Sequence, residues 1–192
     1  MNNKKTMLLF IHGFGSSGRG DKARLLRDWC QTQGISFMAP SLPNIPELAL
    51  ETLQEIIETL QQHESVALVG SSLGGFYATW LANHYDLPYV LVNPSVEPYI
   101  TLERAIGQGI NFHDSSSYEW NAQHTASLLR FKVAQPPTKR CLLLVQTGDE
   151  LLDYRQAVTH YSAAKQMVEE GGHHGFAGFD KHLKTITDFL QA

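Results

Sequence analysis

Val66-Ala67-Leu68-Val69-Gly70-Ser71-Ser72-Leu73-Gly74-Gly75 is the stretch on which the reading of this chain turns. Four consecutive apolar residues suit a short strand buried on both faces, and glycine ends the run. Phe76-Tyr77 and Trp80-Leu81 then continue with helical spacing. Between strand and helix, Gly70-x-Ser72-x-Gly74 has the spacing of a turn that lifts a serine off a strand end onto a helix N-terminus. Such a turn is strained and brings two backbones close together, so the positions two before and two after the serine must be small. The helix start also offers the Leu73 N–H to an anion forming at a substrate carbonyl. A plain glycine-rich turn with a capping serine is the competing reading, and the flanking strand and helix weigh against it.

Outward from this segment the same alternation repeats. Met7–Ile11 reads as a buried strand, followed by a Gly/Ser-rich loop over 13–20 and a helix from Asp21 that Gly34 stops. Ile35–Ala39 is a second strand, and Leu48–Leu60 a helix with Leu50, Leu53, Ile56, Ile57 and Leu60 on one face. After the helix Leu73–Tyr85 come strand Tyr89–Val92, a less regular stretch over 95–140 with short helices expected near 101–107 and 118–130, and strand Leu142–Val145. A helix over Tyr154–Ala164, a short strand Gln166–Glu169 and a closing helix Phe179–Leu190 complete the pattern. Short apolar strands alternating with amphipathic helices predict a mostly parallel sheet of about six strands with helices on both faces. No repeat or linker divides the chain, so residues 1–192 are read as one domain.

Composition narrows the function. At 43% apolar and 18% charged, the 192 residues are those of an ordinary globular protein. The net charge of −4, with no long basic run, argues against a nucleic-acid surface and against an anionic membrane as main partner. No apolar segment approaches a membrane span, and Met7–Ile11 is too short for the core of a signal peptide. The expected location is cytoplasmic, with Cys30 and Cys141 as buried, reduced thiols.

A serine nucleophile needs a base oriented by an acid, and in this kind of fold they follow in the order serine, acid, histidine, at strand C-terminal ends. Asp149, Glu150 and Asp153 follow the Leu142–Val145 strand. Asp149 is the favoured acid, directly after Gly148, whereas Asp153 is placed to cap the next helix. The base is expected in Gly171-Gly172-His173-His174-Gly175, where glycines let a loop bend over the serine. Spacing alone does not choose between His173 and His174; His182 falls on the final helix and reads as a surface residue. At the end of the first strand, His12-Gly13-Phe14 would supply the Phe14 N–H as a second oxyanion donor.

Two other readings fail. Gly13-x-Gly15-x-x-Gly18 follows a strand as a dinucleotide fingerprint does, but the second strand ends Met38-Ala39-Pro40 without the required carboxylate, and no Lys-Ser/Thr follows Gly18. Adjacent His173 and His174 are poorly placed to chelate one metal ion, and no third ligand stands nearby. No cofactor and no metal are expected.

Together, His12-Gly13-Phe14 with Ser16-Ser17 and Lys22-Ala23, Val69–Gly75 with Tyr77–Leu81, Val92-Asn93-Pro94, Gln146–Glu150 with Leu152–Val158, and Glu170-Gly171-Gly172-x-His174 resemble the small bacterial esterases of the YqiA family, within the α/β-hydrolase superfamily. The resemblance spans essentially the whole chain. It implies a compact α/β-hydrolase fold, places the catalytic histidine at His174, and supports Ser72 and Asp149; the stretch 95–140 is too short for a large cap domain. It also implies hydrolysis of carboxylic esters through an acyl-enzyme on Ser72, with acyl-CoA thioesters as an alternative substrate. Gly15 and Gly18-Arg19-Gly20 depart from the family's usual first loop, which predicts a more flexible one. The expected partner is a small ester or acyl-CoA, with Arg19, Lys22 and Arg104 available to an anionic CoA. Tyr99, Ile100, Ile106, Phe112 and Trp120 are candidates to line an acyl pocket beneath an open mouth, with helix packing as the competing reading for them. A binding protein that keeps the fold with an idle triad is the reading from outside enzymology.

Overall fold

The computed structural model describes residues 5–191; positions 1–4 and 192, which the single-domain reading includes, lie outside the described residues. Six parallel strands form one sheet: β1 (Thr6–Ile11), β2 (Ser36–Met38), β3 (Ser65–Ser71), β4 (Tyr89–Val92), β7 (Cys141–Gln146) and β8 (Lys165–Glu169). They lie in the order β2-β1-β3-β4-β7-β8. Every residue of β4 and β7 is buried, as is β3 beyond Ser65. Strands of this kind read as unbroken apolar runs because both faces are covered.

The two faces divide the core by the strand period of two. Leu9, Leu68, Leu91 and Leu143 face helices α2 (Pro46–Gln61), α3 (Leu73–Tyr85) and α6 (Tyr154–His160) through Leu50, Leu53, Phe76, Leu81 and Ala157. Leu8, Phe10, Val69, Val90 and Leu144 face α1 (Asp21–Gln33) and α7 (Leu183–Gln191) through Leu26, Cys30, Ile186 and Leu190. Cys30 and Cys141 are free and buried. Burial pushes their thiols up to about 11 and about 12, so neither is a nucleophile at neutral pH. Among the described residues, no helix is long and apolar enough to cross a membrane.

The 95–140 stretch corrects the sequence reading in part. Short helical segments stand near both expected places, α4 (Pro98–Thr101) with a 3-10 turn over Glu103–Ala105 and α5 (Ala122–Ser127) with another over Leu128–Phe131, but an antiparallel hairpin of β5 (Gly107–Ile110) and β6 (Ser117–Trp120), which the sequence did not announce, lies between them. Tyr118 and Trp120 show the alternation of a strand, not the spacing of a helix. Both rings meet the Phe14 ring edge to face, at 5.5 and 4.8 Å between centroids. Two further expectations are corrected. The helix expected over Tyr154–Ala164 ends at His160. His182 is no surface residue: it is 8% exposed, its Nε2 is 3.0 Å from Glu169 Oε1, and its ring meets Phe176 edge to face.

The strand order sets the position of the site. From β1 the chain moves outward to β2, then crosses β1 to lay down β3 on the other side. The loops leaving β1 and β3 therefore part at the C-terminal edge, which opens a crevice between them. The segments carrying Phe14, Ser72, Asp149 and His174 all leave this edge of the sheet.

Candidate active site

The turn after β3 has the expected strain. Ser72 adopts φ 55° and ψ −123°, a conformation L side chains rarely occupy, and it precedes the first residue of α3. Backbone proximity explains the flanking glycines. A Cβ on Gly74 would be driven into the carbonyl oxygens of Ile11 and His12, and one on Gly70 into the Gly74 carbonyl. The backbone of Ser72 is pinned on both sides, its N–H donating to Val92 O and its carbonyl accepting from Gly75 and Ser95.

Three side chains converge there. Ser72 Oγ is 3.0 Å from His174 Nε2, and His174 Nδ1 is 2.8 Å from Asp149 Oδ2. With the carboxylate taking the Nδ1 proton, Nε2 is left to accept from the serine hydroxyl. The Asp149 side chain is only 2% exposed. Burial pushes its pKa up, but hydrogen bonds from His174 and the Leu152 and Leu151 amides outweigh that, and the carboxyl sits below its ordinary value. It is therefore a buried, charged, fully bonded acceptor. Asp153 instead caps α6, accepting from the Arg155 N–H. The structure thus brings Asp149 to the His174 ring and Asp153 to the start of α6.

His173 and His174 separate equally clearly, since only the His174 ring reaches Ser72 and Asp149. Gly171 and Gly172, both at φ 75°, turn the loop back toward the sheet. Four side chains then hold it. Asn93 Nδ2 donates to the carbonyls of His173 and His174 at 3.2 Å. Gln146 Oε1 accepts from the His173 and Ala177 amides, while its Nε2 donates to Ala177 O and Glu169. Glu150 Oε2 accepts from the His174 N–H, and Lys22 Nζ donates to Gly175 O. Asn93 Oδ1 also accepts from the Gln146 N–H, which joins the two amides into one unit. Sequence reading missed these clamps. Their one signal is a pair of amide residues directly after apolar strands, Val92-Asn93 and Val145-Gln146.

On the opposite side, His12 Nε2 accepts from the Leu42 N–H at 2.9 Å, so its proton sits on Nδ1 and is donated to Gly13 O. Burial lowers the His12 pKa, in keeping with a neutral ring. His12 thus braces the loop that leads to Phe14. As the first residue of α3, Leu73 has no helical partner for its N–H. The expected mobility of this first loop meets several ties: the Phe112 N–H donates to Gly15 O, Asn111 Nδ2 to Ser16 O, and Arg27 to Gly18 O.

His12, Phe14, Ser72, Leu73 and His174 line one cavity of about 590 Å³, within the usual range for a small-molecule site. Phe14, Leu73, Leu102, Phe112, Leu151 and Leu152 supply apolar wall, and Lys22 and Arg104 are its cationic lining residues. Of the expected acyl-pocket residues, only Phe112 takes part. Trp120 and Tyr99 are buried in the core, while Ile100 and Ile106 are exposed elsewhere. Arg19 does not line the cavity. Among the described residues, no group of three or more His, Cys, Asp or Glu converges to hold a metal ion.

Sheet order, crevice and strained serine turn together define an α/β-hydrolase fold. Solved structures agree over nearly the whole chain. A putative hydrolase from Agrobacterium vitis S4 matches 97% of this chain and 88% of its own, with a TM-score of 0.78 at 17% identity. Est1E from Butyrivibrio proteoclasticus, with ferulic acid bound, matches 98% and 89% at 0.75 and 14%. A monoacylglycerol lipase from Paleococcus ferrophilus matches 96% and 93% at 0.73 and 17%. More specifically, the chain belongs to UPF0227, described as an uncharacterised protein family, whose model matches residues 7–191. The UPF0227 protein YcfP of Salmonella paratyphi B is 24% identical over 186 residues, 95% of this chain and 98% of that protein; YcfP of Salmonella newport gives the same figures. This membership agrees with the YqiA-like resemblance read from the sequence.

Proposed function

We propose that the protein hydrolyses carboxylic esters by acyl transfer to Ser72. The observation that carries this reading is the unbroken chain Ser72–His174–Asp149, with contacts of 3.0 and 2.8 Å at a strained strand-to-helix turn. His174 Nε2 takes the serine proton as Oγ attacks the ester carbonyl. The N–H groups of Phe14 and Leu73 stabilise the oxyanion, and losing one such donor costs about 3–4 kcal/mol elsewhere. Collapse of the tetrahedral intermediate breaks the ester bond, and His174 protonates the departing alkoxide. Water, deprotonated by the same imidazole, then attacks the acyl-enzyme, releases the acid and restores Ser72. Asp149 keeps the Nδ1–H tautomer and stabilises the imidazolium. Thioesters would follow the same course.

Hydrolysis of a chain-length series of p-nitrophenyl esters, run beside acyl-CoAs, tests this. Turnover by the native protein and its loss in Ser72→Ala are expected. No turnover of any member, or equal rates in the variant, would leave a fold with an idle triad.

A further inference from the structure

Lys22 occupies an unusual position for a cation. It stands in the first turn of α1, lines the same cavity as Ser72 and His174, and is half-buried. Many basic side chains of this protein face a carboxylate, as Arg24, Arg130, Lys132, Arg140, Arg155 and Lys184 do. Among the described residues Lys22 forms no such ion pair; its one hydrogen bond goes to Gly175 O at 3.0 Å. Burial lowers its pKa, and the charges of Asp149 and Asp21 only partly offset that. An ammonium has three donors, so two remain for a ligand in the cavity.

Its location says which half of the ligand. Gly175 follows His174, the group that hands a proton to the departing alcohol. The oxyanion amides of Phe14 and Leu73, and the apolar surfaces of Leu102, Phe112 and Leu151, make up other parts of the wall. Resting on the acyl-transfer reading of this site, we propose that Lys22 is a specificity-determining residue that pairs with an anionic group, carboxylate or phosphate, on the alcohol or thiol half of the substrate. The acyl half meets apolar wall. A charge-assisted hydrogen bond in a partly dry site supports a preference of about 10-fold or more over a neutral counterpart.

Matched phenyl butyrates test this. The carriers are 3-carboxyphenyl butyrate, its neutral carboxamide counterpart, and the 3-phosphonooxyphenyl ester, which separates phosphate from carboxylate recognition. The native protein should favour at least one anionic ester by about 10-fold in kcat/KM. Lys22→Met should bring that ratio near one, and Lys22→Arg should keep part of it. Monophenyl succinate, with its charge on the acyl half, should gain nothing over its methyl ester. A native ratio near one, a ratio that survives Lys22→Met, or a preference for the acyl-side charge overturns the inference. Hydrolysis of the carboxamide ester reports on the acyl-transfer reading separately. Calorimetry of 3-hydroxybenzoate, 3-hydroxybenzamide and 3-hydroxyphenyl phosphate, on native protein and Lys22→Arg, needs no turnover. Tighter binding of an anionic ligand supports the inference, and equal binding of all three refutes it.

Discussion

Replacing Gln146 by methionine keeps the length of the side chain and removes its amide. Gln146 is 3% exposed, and its side chain makes three hydrogen bonds to the 173–177 loop: from the His173 and Ala177 amides, and to Ala177 O. At about 1 kcal/mol net for each bond, the loop and its contacts lose about 3 kcal/mol. For a chain of this size that lowers Tm by roughly 6–12 °C. The effect on rate follows from geometry, because the same loop carries His174 toward Ser72. A misplacement of about 1 Å can cost 100-fold, so kcat/KM for a p-nitrophenyl ester should fall about 10- to 100-fold at 25 °C, where the variant is still folded. Most of the loss should lie in kcat, since Gln146 does not line the cavity. Thermal melts and steady-state kinetics on one preparation decide the matter. A lowered Tm with kcat unchanged would show that the clamp serves stability alone. No change in either would refute the reasoning.

Asp149→Asn should reduce kcat by about 10³- to 10⁴-fold, as loss of the tautomer-fixing carboxylate does in other triads, with KM little changed. Because the folded Asp149 pKa lies below its ordinary 3.8, its stabilisation is present above about pH 4 and lost as pH falls through the lower folded value. Urea midpoints at pH 7 and pH 3 should therefore drop more for the native protein than for Asp149→Asn. Gly74→Val forces a side chain against the Ile11 and His12 carbonyls and should cost about 3 kcal/mol or more, read as lost soluble yield or a Tm drop of at least roughly 6 °C. Phe112 is 86% exposed yet lines the cavity, so Phe112→Ala should leave stability within about 0.5 kcal/mol while changing the chain-length profile of ester hydrolysis.

How much of this was readable without coordinates depended on where the signal sits along the chain. The central strands announce themselves because a parallel strand covered on both faces is apolar at every position, as Val66–Val69 and Leu142–Val145 are. Ser72 is legible because its turn demands glycine on either side, and Asp149 because it comes just past a strand end. The hairpin was hidden: Gly107 and Gly109 carry no strand preference, and Tyr118 and Trp120 read as readily as part of a helix. Its partner, Phe14, lies about a hundred residues earlier. Asn93 and Gln146 were missed for the same reason, as what they hold lies 80 and 27 residues away. A buried amide looks like any other polar residue until its partners fold against it. His182 was misread because a histidine opening a final helix gives no hint that Glu169 waits beneath it.

In the proposed mechanism Ser72 is a nucleophile activated by His174. Incubation of the folded protein with a fluorophosphonate, followed by mass spectrometry of its peptides, tests that most directly. One adduct is expected, on Ser72, absent from Ser72→Ala and formed far more slowly by His174→Ala. No adduct on the native protein, or undiminished labelling of Ser72→Ala, would contradict it.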